Sequence, residues 1–170
     1  MRLPRRYRIV LKHGAKLVIS GSNTEKLTKT VQRLRTSYPH VKDQIVTEAC
    51  DLWQTFALED NLRRLFKTVS ENGTKWIDHI VFTSSDRLNL TGGIPLAGTD
   101  LNVFNSIMKV RVFAPTLIAK IIATFEFVNK SITSSFTLTS GTAHLRPPKT
   151  WAIVTMTSGA LLRSRKWIGS

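Results

Sequence analysis

Residues 13–27 read HGAKLVISGSNTEKL, a turn followed by a short apolar run, a second turn and the start of a helical pattern. The run Lys16–Ser20 has the composition of a short buried strand, and Thr24 begins a helix that the apolar spacing predicts as far as Arg35. A strand that leads through a tight turn into a helix is the repeating unit of parallel α/β sheets. This stretch therefore predicts a parallel α/β fold.

The same alternation continues along the chain. Further strands are predicted at Gln44–Ala49, Ile77–Thr83 and Thr133–Thr139, and further helices at Leu58–Glu71 and Leu101–Val128, the last one bent near Pro115. We therefore predict an α/β protein with a Rossmann-like parallel sheet, flanked by helices, in a single domain over residues 1–170. Ligands of such sheets bind at the carboxyl ends of the strands, so functional residues are expected just after each apolar run.

The net charge of +14 is concentrated at the two ends of the chain. Residues 1–16 and 127–170 each hold six Lys/Arg and no acid, whereas the residues between them are nearly balanced. Basic ends can grip phosphates without specificity. They lack interleaved aromatic residues and a recognition-helix pattern, so a nucleic-acid binder is the less favoured hypothesis.

Several classes are disfavoured by single residue types. Cys50 is the one cysteine, which excludes an internal disulfide and a cysteine-based metal cluster, and its apolar neighbours predict a buried thiol. The four histidines are scattered without ligand spacing, so no metal site is predicted. No apolar run approaches the roughly 20 residues that cross a bilayer. We expect a soluble, cytoplasmic protein without a membrane partner.

Read in order, these segments resemble the short-chain dehydrogenase/reductase family between roughly Gly14 and Leu162. Residues 13–27 resemble the family's second strand and the helix after it, residues 50–52 the end of its third strand, and residues 77–81 its fourth strand. Residues 137–143 resemble the strand that carries the catalytic serine, and residues 158–161 the helix that follows it. It implies a Rossmann-like domain that lacks the family's first strand and its C-terminal strands. We expect a chain truncated at both ends, with atypical basic ends at residues 1–13 and 163–170.

The resemblance also implies a reaction, the NADP(H)-dependent interconversion of a carbonyl and an alcohol. In the family a tyrosine is the acid/base, a lysine lowers its pKa, a serine orients the carbonyl and an asparagine supports a proton relay. Ser140 occupies the serine position, while the tyrosine, lysine and asparagine positions hold Val154, Ser158 and Arg111. Arginine stays protonated, so Arg111 could polarise a carbonyl but could not act as a base. We therefore expect the chain to be inactive as written.

Cofactor contacts are expected at the ends of the matched strands. The resemblance assigns them to Ser20, Ser22, Asn23, Lys26, Asp51 and Thr83. Hydroxyls and a cation without an acid after the second strand favour the 2′-phosphate of NADP over the ribose diol of NAD. A solvated turn in which Ser22 or Thr24 caps the helix is the alternative.

Two further alternatives stay open. Residues 6–12 alternate like a strand that could only be antiparallel, and the family comparison makes residues 6–13 the tail of a helix. The chain could also be a non-catalytic module that binds a nucleotide or a partner. As in the family, a homodimer would use residues 100–128 and 151–163.

Overall fold

The computed structural model describes residues 14–84 and 100–138. The first four elements are strand β1 (Leu17–Gly21), helix α1 (Thr24–Ser37), a 3-10 helix (Pro39–Gln44) and strand β2 (Ile45–Ala49). A 3-10 turn (Thr55–Ala57), helix α2 (Leu58–Val69) and strand β3 (His79–Phe82) follow. The last four are helix α3 (Leu101–Met108), a π-helical segment (Lys109–Phe113), helix α4 (Ala114–Thr124) and strand β4 (Ser135–Leu138). Strands thus alternate with helices, as the sequence predicts.

The chain divides into two compact units, and the first covers Met1–Asp51. In it β1 and β2 pair in parallel from Leu17↔Ile45 to Gly21↔Ala49, and α1 connects them. The core of this unit is formed by buried residues of α1, the 3-10 helix and β2, with partly buried neighbours from β1 and from the C-cap of α1: Val31, Leu34, Val41, Ile45, Leu17, Ile19 and Tyr38. The Arg35 guanidinium donates to the carbonyl oxygens of Lys42 and Ile45, which ties the end of α1 to the start of β2.

The second unit covers Leu52–Ser170 and contains the other strand pair. Here β3 and β4 are parallel from His79↔Ser135 to Phe82↔Leu138, and an isolated parallel bridge joins Ile77 to Val128. Apolar residues of α2, of the helix that spans α3 to α4, and of the two strands form its core: Leu58, Leu62, Phe66, Ile107, Val110, Ile118, Ile121, Phe82 and Leu138. Within the described ranges the four strands form two separate two-stranded sheets.

The predicted element order is confirmed, with differences at several boundaries. Helix α2 ends at Val69, because Glu71, Asn72 and Gly73 adopt positive φ angles that no helix can contain. The long helix ends at Thr124 rather than at Val128, since Phe125 is extended and Val128 pairs with Ile77. The bend predicted near Pro115 is a π-helical turn immediately before that proline.

None of the described helices is both long and apolar enough to cross a membrane. The predictions for residues 6–13, Ser140, Val154, Ser158 and the segments 151–163 and 163–170 lie outside the described residues.

Candidate functional site

Two of the predicted cofactor segments meet at one edge of the first sheet. The parallel register ends with Gly21 opposite Ala49, and the Cys50 N–H donates to the Gly21 carbonyl at 3.1 Å. Ser22 and Asp51 therefore follow directly from two hydrogen-bonded strands that end side by side. The structure brings the Ser20–Asn23 segment and Asp51 to the same carboxyl edge, where ligands of parallel sheets bind.

Asn23 has a structural role that the sequence pattern did not assign to it. Its backbone is extended, with φ at −113°, and its Oδ1 accepts the Lys26 N–H at 2.8 Å. Asn23 is therefore the N-cap of α1, and the assignment of that role to Ser22 or Thr24 is wrong. The side-chain oxygen of Asn23 satisfies the helix, so a ligand at this edge would meet chiefly the neighbouring hydroxyls and the lysine.

The side chains around this cap favour an anion. Ser20, Ser22 and Lys26 are all exposed; Ser22 precedes the N-cap, and Lys26 lies in the first turn of a 14-residue helix whose N–H groups carry partial positive charge. Glu25, the acid of that turn, is paired with Lys29 on the same helix. Hydroxyl donors, a lysine and a helix N-terminus together can hold a phosphate group.

The second sheet places one more predicted residue after a strand. Thr83 follows Phe82, which is buried and pairs with Leu138 at the last position of the β3–β4 register. Thr83 itself is exposed. The start of this ladder carries a polar pair, in which His79 Nδ1 lies 3.1 Å from Ser135 Oγ. Thr83 is thus at the carboxyl end of its own sheet, as predicted.

Arg111 lies in the π-helical segment of the long helix. In a regular α-helix its carbonyl would accept the N–H of residue 115, but Pro115 has none. The chain widens by one residue instead, and the Ala114 N–H donates to the Lys109 carbonyl five residues earlier. Such π-turns are frequent at functional sites. In the sequence, Pro115 predicted a bend in the helix, but it did not indicate that Arg111 would lie within the π-helical turn. Arg111 is half-buried there.

The described tyrosine has a structural role. Tyr38 forms the C-terminal cap of α1, where its N–H donates to the Leu34 carbonyl at 2.8 Å, and its ring meets His40 edge-to-face at 6.5 Å. Its side chain packs against the core of the first unit. Within the described residues no group of three or more His, Cys, Asp or Glu is arranged to hold a metal ion.

The comparisons with known proteins define the class. The family model of the SDR-like Rossmann domain, the fold of short-chain dehydrogenases/reductases, matches residues 7–166. The short-chain dehydrogenase/reductase malC of Malbranchea aurantiaca is 34% identical over 148 residues, which cover 86% of this chain and 53% of malC. The chain belongs to the short-chain dehydrogenase/reductase family.

Solved structures agree with this assignment. The MalC reductase/Diels-Alderase of Malbranchea aurantiaca superposes with a TM-score of 0.81 at 31% identity, over 94% of this chain and 60% of MalC. A short-chain dehydrogenase structure from Escherichia coli CFT073, complexed with NADPH, superposes with a TM-score of 0.68 at 20% identity, over 86% of this chain and 56% of that one. The latter likeness shows the fold alone. The chain spans about half the length of the curated relatives it matches.

Proposed function

We propose that this chain is a nicotinamide-nucleotide-binding member of the family that has lost hydride transfer. The family role is the NADP(H)-dependent oxidoreduction of a carbonyl or alcohol, in which the bound cofactor supplies or accepts the hydride. The observation that carries the loss is the replacement of the acid/base pair: Val154 and Ser158 occupy the tyrosine and lysine positions. Neither side chain can exchange a proton with a carbonyl oxygen at neutral pH.

Tyr38 offers no substitute for the missing tyrosine. Tyr38 caps α1 and packs against the core of the first unit, so a displacement of Tyr38 would remove both contacts from that unit. Arg111, which the family comparison places at the asparagine position, remains a candidate for polarising a carbonyl. A guanidinium that keeps its proton can orient an oxygen but cannot complete the reaction.

The test of inactivity uses the purified chain with NADPH and a panel of aldehydes and ketones. We expect no consumption of NADPH above a protein-free control, measured by its absorbance, in samples for which calorimetry shows that NADPH is bound. Turnover of any carbonyl that is abolished by Ser140→Ala would overturn the proposal. The double variant Val154→Tyr/Ser158→Lys is the informative comparison, because it restores both family residues.

The preference for NADP(H) is proposed from the edge formed by Ser20, Ser22, Asn23 and Lys26, with Asp51 on the adjacent strand end. The exposed Lys26 ammonium, the serine hydroxyls and the N-terminus of α1 offer donors to a 2′-phosphate. No acid follows β1 before the helix begins, so nothing at that point selects the ribose diol of NAD. Thr83, at the carboxyl end of the second sheet, is a candidate cofactor contact through the family resemblance alone.

Lys26→Gln tests this preference. We expect the native chain to bind NADPH more tightly than NADH, and the variant to lose about tenfold in NADPH affinity while its NADH affinity stays the same, since one charged contact to phosphate is worth roughly that factor. Lys42→Gln removes an equal charge from another exposed lysine and should leave both affinities unchanged. Equal binding of NADH and NADPH would refute the preference. If NADPH binds without turnover, the chain acts as a nucleotide-binding module.

A further inference from the structure

A second cleft lies in the Leu52–Ser170 unit, away from the carboxyl ends of its strands. Its wall is one stripe of α2, because residues separated by three or four positions share a helix face. The cleft has a volume of about 400 Å³ and is lined by Asp60, Arg63, Arg64, Lys67 and Phe125. It adjoins a smaller cleft of about 260 Å³, lined by Lys67, Asn72, Gly73, Phe125 and Phe127. A volume near 400 Å³ falls within the range of small-molecule sites, about 300–1,000 Å³.

Aromatic side chains make the floor of these two clefts. Phe125 lies edge-to-face between the buried Phe66 and Phe127, with ring centroids 5.8 Å apart in both pairs. Trp76 continues the row at 6.3 Å from Phe127 and remains 63% exposed. Because each ring is held by its neighbour, the floor is a preformed apolar surface on which an aromatic group can stack.

The three cations on the wall differ in their hydrogen-bond and ion-pair partners. Arg63 donates twice to the Glu59 carboxylate, which Lys120 also contacts, so Arg63 is already engaged in an ion pair. Arg64 donates to the neutral amide oxygen of Asn61. Among the described residues neither Arg64 nor Lys67 has an ion pair within 4 Å, although the Asp60 carboxylate lines the same cleft.

Two like charges three residues apart on a helix repel each other. An anion bound between Arg64 and Lys67 would relieve that repulsion and would sit beside the aromatic floor. We propose that this cleft binds a small aryl anion, an aromatic ring that carries one phosphate or carboxylate group. The ring would stack against Phe125 and Phe127, and the charged group would accept hydrogen bonds from Arg64 and Lys67.

The cleft lies away from Thr83, the predicted cofactor contact within the same unit. Phe127 accepts a backbone hydrogen bond from Ile77 at the beginning of the second sheet, whereas Thr83 follows its end. Ile77 and Thr83 are six positions apart along an extended segment, which corresponds to roughly 20 Å. The proposal therefore does not depend on nicotinamide binding, and either one can fail without the other.

The experiment is calorimetric titration of the 170-residue chain with 1-naphthyl phosphate and with 1-naphthoate, which distinguish the phosphate and carboxylate forms. We expect at least one of them to bind with a Kd of about 1 mM or below, as good contacts allow for a ligand of that size. Lys67→Gln should weaken binding at least fivefold, and Phe125→Leu should weaken it while preserving an apolar floor. Lys42→Gln removes the same charge elsewhere and should leave the affinity unchanged.

Neutral 1-naphthol and inorganic phosphate are the remaining titrants. Each should bind at least fivefold more weakly than the aryl anion, because each offers only half of the proposed contacts. The proposal is overturned if neither aryl anion binds, if Lys67→Gln and Phe125→Leu leave their affinity unchanged, or if naphthol or phosphate binds equally well. Thermal unfolding of each variant shows that a lost affinity is not a lost fold.

Discussion

Gly73 holds the turn after α2 in a conformation that only glycine adopts easily. Its φ is +92°, and an added Cβ would lie 2.4 Å from the Phe127 ring, far inside any real contact. Its N–H also donates to the Oγ of Ser70, which is fully buried. We predict that Gly73→Ala lowers the free energy of unfolding by about 2 kcal/mol, combining left-handed strain with the displacement of an aromatic ring. Urea unfolding followed by circular dichroism measures the change.

Substitutions at two other glycines distinguish the backbone strain from the contact with the Phe127 ring. Gly14 has a φ of +73°, and among the described residues nothing beyond its chain neighbour lies within 4 Å of an added Cβ, so Gly14→Ala should carry the backbone cost alone, about 1 kcal/mol. Gly21 lacks a positive φ, and its Cβ would meet Leu27 at an ordinary 3.5 Å, so Gly21→Ala should change stability little. If Gly73→Ala costs no more than Gly14→Ala, the contact with Phe127 is not a constraint.

Single residues mark the limit of what the sequence predicts. The edge that carries Ser22 and Asp51 could be foreseen, because parallel strands end side by side. The choice of Asn23 over its neighbours as N-cap could not, since Ser22, Asn23 and Thr24 all have side chains suited to that position. Only the backbone angles on each side decide which oxygen reaches the Lys26 N–H.

Among the helices, Glu59 joins α2 to α4. Its carboxylate accepts from Lys120 at 2.9 Å across the two helices and from Arg63 at 2.8 Å within α2. The hydrogen bonds from Lys120 and then Arg63 hold the pKa of Glu59 below its usual range. A carboxyl with a lowered folded-state pKa stabilises the fold above its unfolded pKa of about 4.3, and that contribution is lost as the pH falls through the folded value.

Glu59→Gln should therefore be less stable than the native chain at pH 7, and the difference should shrink below about pH 4, as the native carboxyl becomes protonated. Urea midpoints measured between pH 7 and pH 3 provide the comparison. Glu25→Gln is the matched control, because Glu25 pairs with Lys29 within a single exposed helix and joins no two elements. A pH-independent difference for Glu59→Gln would mean that the ion pairs add nothing to stability in solution.

The elements themselves were largely predictable, because apolar spacing fixes both their type and their order. The end of the long helix was not: residues 125–128 continue the apolar pattern, yet Phe125 is extended and Val128 pairs with Ile77 at the edge of the second sheet. The π-turn was predicted only as a bend. Its exact place follows from which carbonyl accepts the Ala114 N–H, and side-chain spacing carries no information about that choice.

For the whole molecule, the family could be identified from the order of weak motifs, each unspecific alone. The second cleft could not be foreseen in the same way. It depends on Phe125 and Phe127, which follow the long helix, meeting Arg64 and Lys67 from another helix. Contacts between residues about 60 positions apart arise from packing and leave no local periodicity in the sequence.

The two compact units raise the question of whether the chain unfolds as one domain, as the sequence predicts. The first unit, Met1–Asp51, has about 50 residues, and its described sheet has two strands. A unit of that size buries a small share of its apolar surface and is marginal by itself, and its two described strands depend on packing against α1. We therefore predict one cooperative transition for the entire chain.

The sequence provides a separate probe for each unit. Cys50, the single cysteine, belongs to the first unit and is 4% exposed, while all four tryptophans follow that unit in the sequence: Trp53, Trp76, Trp151 and Trp167. Thiol labelling and tryptophan fluorescence should give the same urea midpoint, because coincident probes are the signature of two-state unfolding. Labelling of Cys50 at a urea concentration that leaves the fluorescence native would show that the first unit opens by itself. The single-domain prediction would then be wrong, and nucleotide binding at the edge of Ser22 and Asp51 should disappear at that same lower urea concentration.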